Sequence, residues 1–125
     1  RFGDGRAANP GESRLRVRLH LVGFTGYVPQ QPLYGRDGRL LGYGDLVDWE
    51  NRTLIEFDGR SKYGIDGLDP RLQVIAEKER EDAIREELGF EVIRVMWDQL
   101  EDLDALAARV HRAHARSARR RPAAA

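Results

Sequence analysis

The chain has 125 residues, enough for one domain with a real hydrophobic core, and its 21 basic and 21 acidic side chains cancel. It holds no cysteine, which excludes disulfides and thiolate metal centres and suits the cytoplasm; no apolar run approaches membrane-spanning length, so no membrane partner is expected. The charge is unevenly placed, with 18 acidic and 8 basic residues in 41–104 against 3 acidic and 13 basic in the two flanks together, so the centre of the chain cannot hold phosphates unless metal ions reverse its sign.

Residues 1–8 show no periodicity and open on Arg1 instead of Met. They read as a linker from an excised N-terminal region, ahead of a domain over 9–115 and a basic tail over 116–125. Asn9-Pro10-Gly11-Glu12 has the cap, the first-position proline and the third-position acid of a helix start, and Leu15, Leu19 and Val22 give that helix an apolar stripe ending at Gly23. Two short extended pieces, 25–28 and 32–34, flank Pro29-Gln30-Gln31. The prolines at 29 and 32 predict a sheet edge or irregular chain, with Gln30 and Gln31 on the surface.

The densest signal is in residues 43–58. Segments 43–49 and 52–58 are rich in strand formers, and Glu50-Asn51 between them predicts a two-residue turn in which Asn tolerates positive φ. Counting back from that turn sets Val47 opposite Leu54, Asp45 opposite Glu56 and Tyr43 opposite Asp58. With a side-chain period of two, Asp45, Glu56 and Asp58 share one face, while Leu46, Ile55, Phe57 and Asp48 fall on the other. Three converging carboxylates repel one another and call for a hard divalent cation, Mg2+ or Mn2+, held by oxygen ligands. The alternative is a solvated hairpin face whose acids never meet.

Downstream, a glycine-rich polar loop over 59–67 carries Lys62, whose ordinary place is solvent. Asp69-Pro70 then caps a helix running to Leu88, with Leu72, Ile75, Ala76, Ala83, Ile84 and Leu88 on its buried side and Gly89 as its stop. Residues 90–97 read as a strand buried on both sides, joined to the hairpin by a parallel crossover. A last helix starts at Asp102 and runs through Leu103, Leu106, Ala107 and Val110 toward Ala115; six arginines and no acid occupy 109–121, and His20, His111 and His114 are expected on the surface. The fold class predicted is α/β, a mixed sheet flanked by helices.

Asp45, then Glu56-Phe57-Asp58-Gly59, then Lys62 resemble the core of the PD-(D/E)XK nuclease superfamily. The closest resemblance is to its very-short-patch-repair-like endonuclease family, also described as domain of unknown function 559. Glu12-Ser13-Arg14-Leu15-Arg16 matches the first-helix pattern of that family, and Arg80 and Asp82 match a basic residue and an Asp near the second helix. The resemblance implies a restriction-endonuclease-like sheet, an ancillary N-terminal domain outside this chain, DNA as partner and Mg2+ as cofactor. Asp45, Glu56 and the Phe57 carbonyl would hold the metal, with Asp58, Glu12 and Lys62 around it, and Arg16, Lys62, Lys78 and Arg80 would face nucleic acid. One departure stands out. The superfamily places Lys two residues after the Glu, where this chain has Asp58; Lys62 or Lys78 would have to replace it.

Two functions follow as expectations. The first is a metal-dependent endonuclease hydrolysing phosphodiester bonds in DNA. The second is a restriction-like fold that does not cut and serves as a nucleic-acid-binding or regulatory module of the toxin-antitoxin kind.

Overall fold

A computed structural model of the chain describes residues 10–58 and 69–120. Among the described residues, helix α1 (Pro10–Leu21) is followed by strands β1 (Val28–Tyr34), β2 (Leu40–Asp48) and β3 (Thr53–Phe57). Helix α2 (Pro70–Leu88), strand β4 (Glu91–Val95), a single 3-10 turn (Trp97–Leu100) and helix α3 (Leu103–Arg120) complete the order. The strands form one sheet in the order β1-β2-β3-β4, antiparallel across β1, β2 and β3 and parallel between β3 and β4. This is the predicted α/β architecture with its crossover through α2. A direct β3-to-β4 hairpin is impossible for parallel strands, so the helix must intervene.

Each face of the sheet is covered separately. On one, Leu46, Ile55, Phe57, Ile93 and Val95 pack with Leu15 and Leu19 of α1 and with Leu106, Val110 and Ala113 of α3. On the other, Leu33, Val47, Leu54 and Phe90 meet Ile84 of α2. The strand residues sort onto these faces as the period-two count requires. Helix α2 departs from expectation in its first half, where Leu72, Val74 and Ile75 are exposed and only Ile84 is fully buried. Nineteen residues of helix reach about 28 Å whereas a five-residue strand spans about 17 Å, so only the C-terminal half of α2 lies over the sheet.

The hairpin keeps the predicted register by a different turn. Asp48 pairs with Thr53, Val47 with Leu54 and Leu46 with Ile55. The turn spans four residues, 49–52, and the positive φ is at Arg52 (52°), not at Asn51. Asp48 fixes it by accepting hydrogen bonds from the Asn51 backbone N–H (2.9 Å) and side-chain amide (2.8 Å). Two-residue and four-residue loops centred on the same peptide bond give the same pairing, which is why the register survives.

Asp48 also belongs to a polar cluster beneath α3. The Tyr27 hydroxyl lies 2.5 Å from Thr53 Oγ1 and 2.8 Å from His114 Nε2, and His114 Nε2 is 4.0 Å from Asp48 Oδ2. Phe24 sets its ring edge-on to His111 and His114. His114 is therefore half-buried and bonded, contrary to the surface position expected of it. Its partners, Tyr27 and Asp48, lie far from it in sequence, and the register of α3 on the sheet turns it inward. Burial first, and then the nearby His111, hold its imidazole below its ordinary value against the opposing pull of Asp48. A depressed folded value means the unfolded chain binds the proton more readily. The stabilisation is then full above the ordinary histidine value near 6.5 and is lost as pH falls through the folded value. Thermal unfolding followed from pH 7.5 to 5 should show this acid loss, and His114→Gln should flatten it.

The tail predicted over 116–125 is helix as far as Arg120. Ser117 is fully buried, four residues after buried Ala113, while Arg116 and Arg120 both pair with Glu91 of β4. Composition alone registers the arginines; the small residues at i and i+4 that let α3 approach the sheet are what extend it.

Candidate active site

The β2-β3 ladder stops at Leu46↔Ile55. Beyond it, two carboxylates take over the work of the backbone. The Phe57 amide donates to Asp45 Oδ2 at 2.9 Å, and the Asp45 amide donates to Glu56 Oε2 at 3.2 Å. Side chains thus stand where ladder hydrogen bonds would be, and the two acids sit in the fork where the strands part. The Asp58 amide donates to Val95 O at 2.8 Å, so the even residues of β3 face β4. By alternation, the amide and carbonyl of Phe57 face β2 and Asp45.

Glu56 is the most perturbed group here. Its side chain is 9% exposed and its Oε1 accepts from Arg80 Nη2 at 2.7 Å, the arginine itself being 15% exposed. Burial, and after it the charge of Asp45, push the Glu56 carboxyl above its ordinary range; Arg80 and the hydrogen bonds pull the other way without prevailing. Arg80 reaches it by lying across Gly42, whose φ of 143° and missing Cβ suit this close passage, since a Cβ there would come within 3.3 Å of the Arg80 side chain.

Glu12 enters from α1. It is 2% exposed, and its Oε1 accepts from Gln30 Nε2 at 2.7 Å. Gln30, expected on the surface, is instead buried and holds φ of 51° in the left-handed region. The register brackets it opposite Asp45, since Pro29 pairs with Leu46 and Gln31 with Gly44. A side chain held there costs on the order of 1–3 kcal/mol, and such strain concentrates at functional sites. Proline on both sides was read as a sign of irregular chain, and it marks this point. Gly11 lets α1 approach, because a Cβ on it would lie 2.0 Å from the Phe57 ring. The expected cap of Glu12 on Asn9 lies outside the described residues.

The remaining predicted residues divide. Among the described residues no group of three Asp, Glu, His or Cys is gathered as a metal site, so Asp58 does not complete the expected triad with Asp45 and Glu56. Its position follows the end of β3, where the chain leaves the ladder that enforces a common face. Lys78 is 76% exposed and pairs with Asp82 at 3.7 Å, one turn along α2, so it is a solvent-face residue and no substitute for the absent motif lysine. Arg16 is exposed on α1, and Lys62 lies outside the described residues. Arg80 is in the site, though as the partner of Glu56.

No protein-family model matches the chain, and no curated protein matches it either. Among the described residues no helix is long and apolar enough to cross a membrane. Chemically, the fork offers two carboxylates and a backbone carbonyl, an all-oxygen donor set of the kind hard divalent cations take. Both Glu56 oxygens already accept N–H bonds, so a cation would share that carboxylate with Arg80 or displace it.

Proposed function

We propose that this protein is a divalent-metal-dependent DNA endonuclease of the restriction-like kind acting in the cytoplasm, with Mg2+ or Mn2+ held by Asp45, Glu56 and the Phe57 carbonyl. The observation that carries this reading is the Asp45–Glu56 pair in the strand fork, where Glu56 is kept buried beside a like charge. Such an arrangement costs stability and is retained where a cation is to be bound. A bound divalent ion supplies a nucleophilic water and stabilises charge on the phosphate. Asp45 and Glu56 would hold that ion, Gln30 holds Glu12 on α1, and Arg80 holds Glu56 in place and would supply positive charge facing phosphate. Lys62 is assigned the role of the absent motif lysine.

The test is cleavage of plasmid and single-stranded DNA in Mg2+, Mn2+, Ca2+ or chelator. Divalent-dependent cleavage that Asp45→Asn removes supports the reading. Lys78→Ala should leave both cleavage and metal binding unchanged, because its ammonium is solvated and paired with Asp82. Lys62→Ala should lower the rate by on the order of 10²-fold with metal affinity retained.

A second reading is favoured by one contact. Arg80 already places a positive charge on Glu56, and this suits a module that binds nucleic acid or protein without cutting. Absence of any Mg2+ or Mn2+ binding by calorimetry, together with DNA affinity unaffected by chelator, would decide for it.

A further inference from the structure

The outer edge of β4 carries a feature that neither reading uses. Glu91 and Val95 exchange backbone hydrogen bonds with the β3 side, so alternation turns Phe90, Val92 and Arg94 outward. All three outward carbonyls accept from arginines: Phe90 O from Arg120 (3.1 Å), Val92 O from Arg85 (3.3 Å) and Arg94 O from Arg109 (2.8 Å). Covering an open edge with cations protects it from pairing with other strands. That role accounts for those three arginines. It does not account for Arg112, which is exposed and makes no hydrogen bond or ion pair with the described residues, or for the cavity it lines.

This cavity, about 150 Å3, lies between β4 and α3 and is walled by Val92, Ile93, Arg94, Arg109, Arg112 and Arg116. It offers roughly ten times the room a single water requires. No carboxylate lines it among the described residues. Arg109, Arg112 and Arg116 recur at i, i+3 and i+7, so α3 presents them as one stripe. Arg94 is held by Glu81 (3.0 Å) and Arg116 by Glu91 (3.1 Å), while among the described residues Arg109 meets neutral acceptors alone, Gln99 Oε1 and the Arg94 carbonyl. Burial, then the charge of Arg112, lower the value of Arg109, and an anion would relieve that repulsion.

We propose that the arginine cavity at the β4 edge binds a backbone phosphate of nucleic acid. Guanidinium groups fit phosphate oxygens in paired hydrogen bonds, and Arg112 is the one poised to do so at no loss of an existing partner. Its place in the fold suits a strand that also visits the acid pair. Glu56 is in register with Arg94 on the neighbouring strand and both side chains lie on the α2 face, whereas the cavity lies between the β4 edge and α3, so a strand reaching both would round that edge. The choice of nucleic acid as occupant rests on the proposed nuclease reading; the anion site itself rests on the cavity.

The experiment measures affinity of the full chain for single-stranded and duplex oligonucleotides across a salt series in chelator, in wild type and in the Glu56→Gln background. Each is compared with Arg112→Glu and Arg112→Lys, and inorganic phosphate is titrated separately by thermal shift. Arg112→Glu should weaken binding by on the order of tenfold and reduce the salt slope by about one, and Arg112→Lys should restore most of both. Equal affinity and slope in wild type and Arg112→Glu would overturn the proposal, even if the wild type cleaves DNA. Stabilisation by inorganic phosphate with DNA affinity indifferent to Arg112 would overturn the nucleic-acid occupant and leave a free anion. Arg112-dependent binding by a chain that never cleaves would uphold the cavity while removing the nuclease reading.

Discussion

Glu56→Gln is expected to lower the proposed metal-dependent cleavage by at least about 10²-fold while raising the unfolding temperature of the metal-free protein. The amide is nearly isosteric but keeps a single acceptor oxygen, so it can accept from Arg80 or from the Asp45 amide and not from both. It removes the negative charge that holds a cation, and loss of electrostatic groups at a reacting phosphate costs rates of this size. Stability should move the other way, because burial and the Asp45 charge outweigh Arg80 in setting the energy of ionised Glu56. Calorimetric unfolding in chelator checks the stability arm, and oligonucleotide cleavage in Mg2+ checks the other. A fall in unfolding temperature would show that Arg80 stabilises the carboxylate more than its surroundings oppose it; unchanged cleavage would remove Glu56 from the mechanism.

Arg80→Ala should destabilise the protein by about 3 kcal/mol, the cost of leaving one partner of a buried ion pair uncompensated. The pair is short, 2.7 Å, and both side chains are largely withdrawn from water. Protonation of Glu56 limits the loss, since a carboxyl already pushed upward neutralises readily. The same substitution made in the Glu56→Gln background should cost much less, and the difference between the two is the coupling of the pair. Urea unfolding of the four proteins gives that cycle. Additive effects would mean that Arg80 contributes through packing along Gly42 and not through Glu56.

Local patterns sufficed for much of this fold. Proline and glycine bounded α2, the period of two assigned Leu46, Ile55 and Phe57 to one face, and the closeness of Asp45 to Glu56 followed from counting away from the turn, because strand alternation is a local property of the backbone. Even the wrong turn length left that closeness intact. Where the chain had to be placed against a distant element, the patterns were insufficient. The partnership of Glu12 with Gln30 joins α1 to β1 and depends on a left-handed Gln whose conformation no propensity favours. Asp58 lay in a plausible series with Asp45 and Glu56, but the ladder that keeps such a series on one face ends before it. The same limit explains the arginines. In sequence, 109–120 is a basic stretch suited to a solvated tail, and only the packing of Ala113 and Ser117 on the sheet turns Arg109, Arg116 and Arg120 onto β4, since helix rotation is set by which side chains are small enough to be buried. Composition and periodicity determined the α/β class, the hairpin and its acid pair. Tertiary contact alone decided which charges meet, because a charge finds its partner across space at separations along the chain, 24 residues for Arg80 and Glu56, that no local pattern spans.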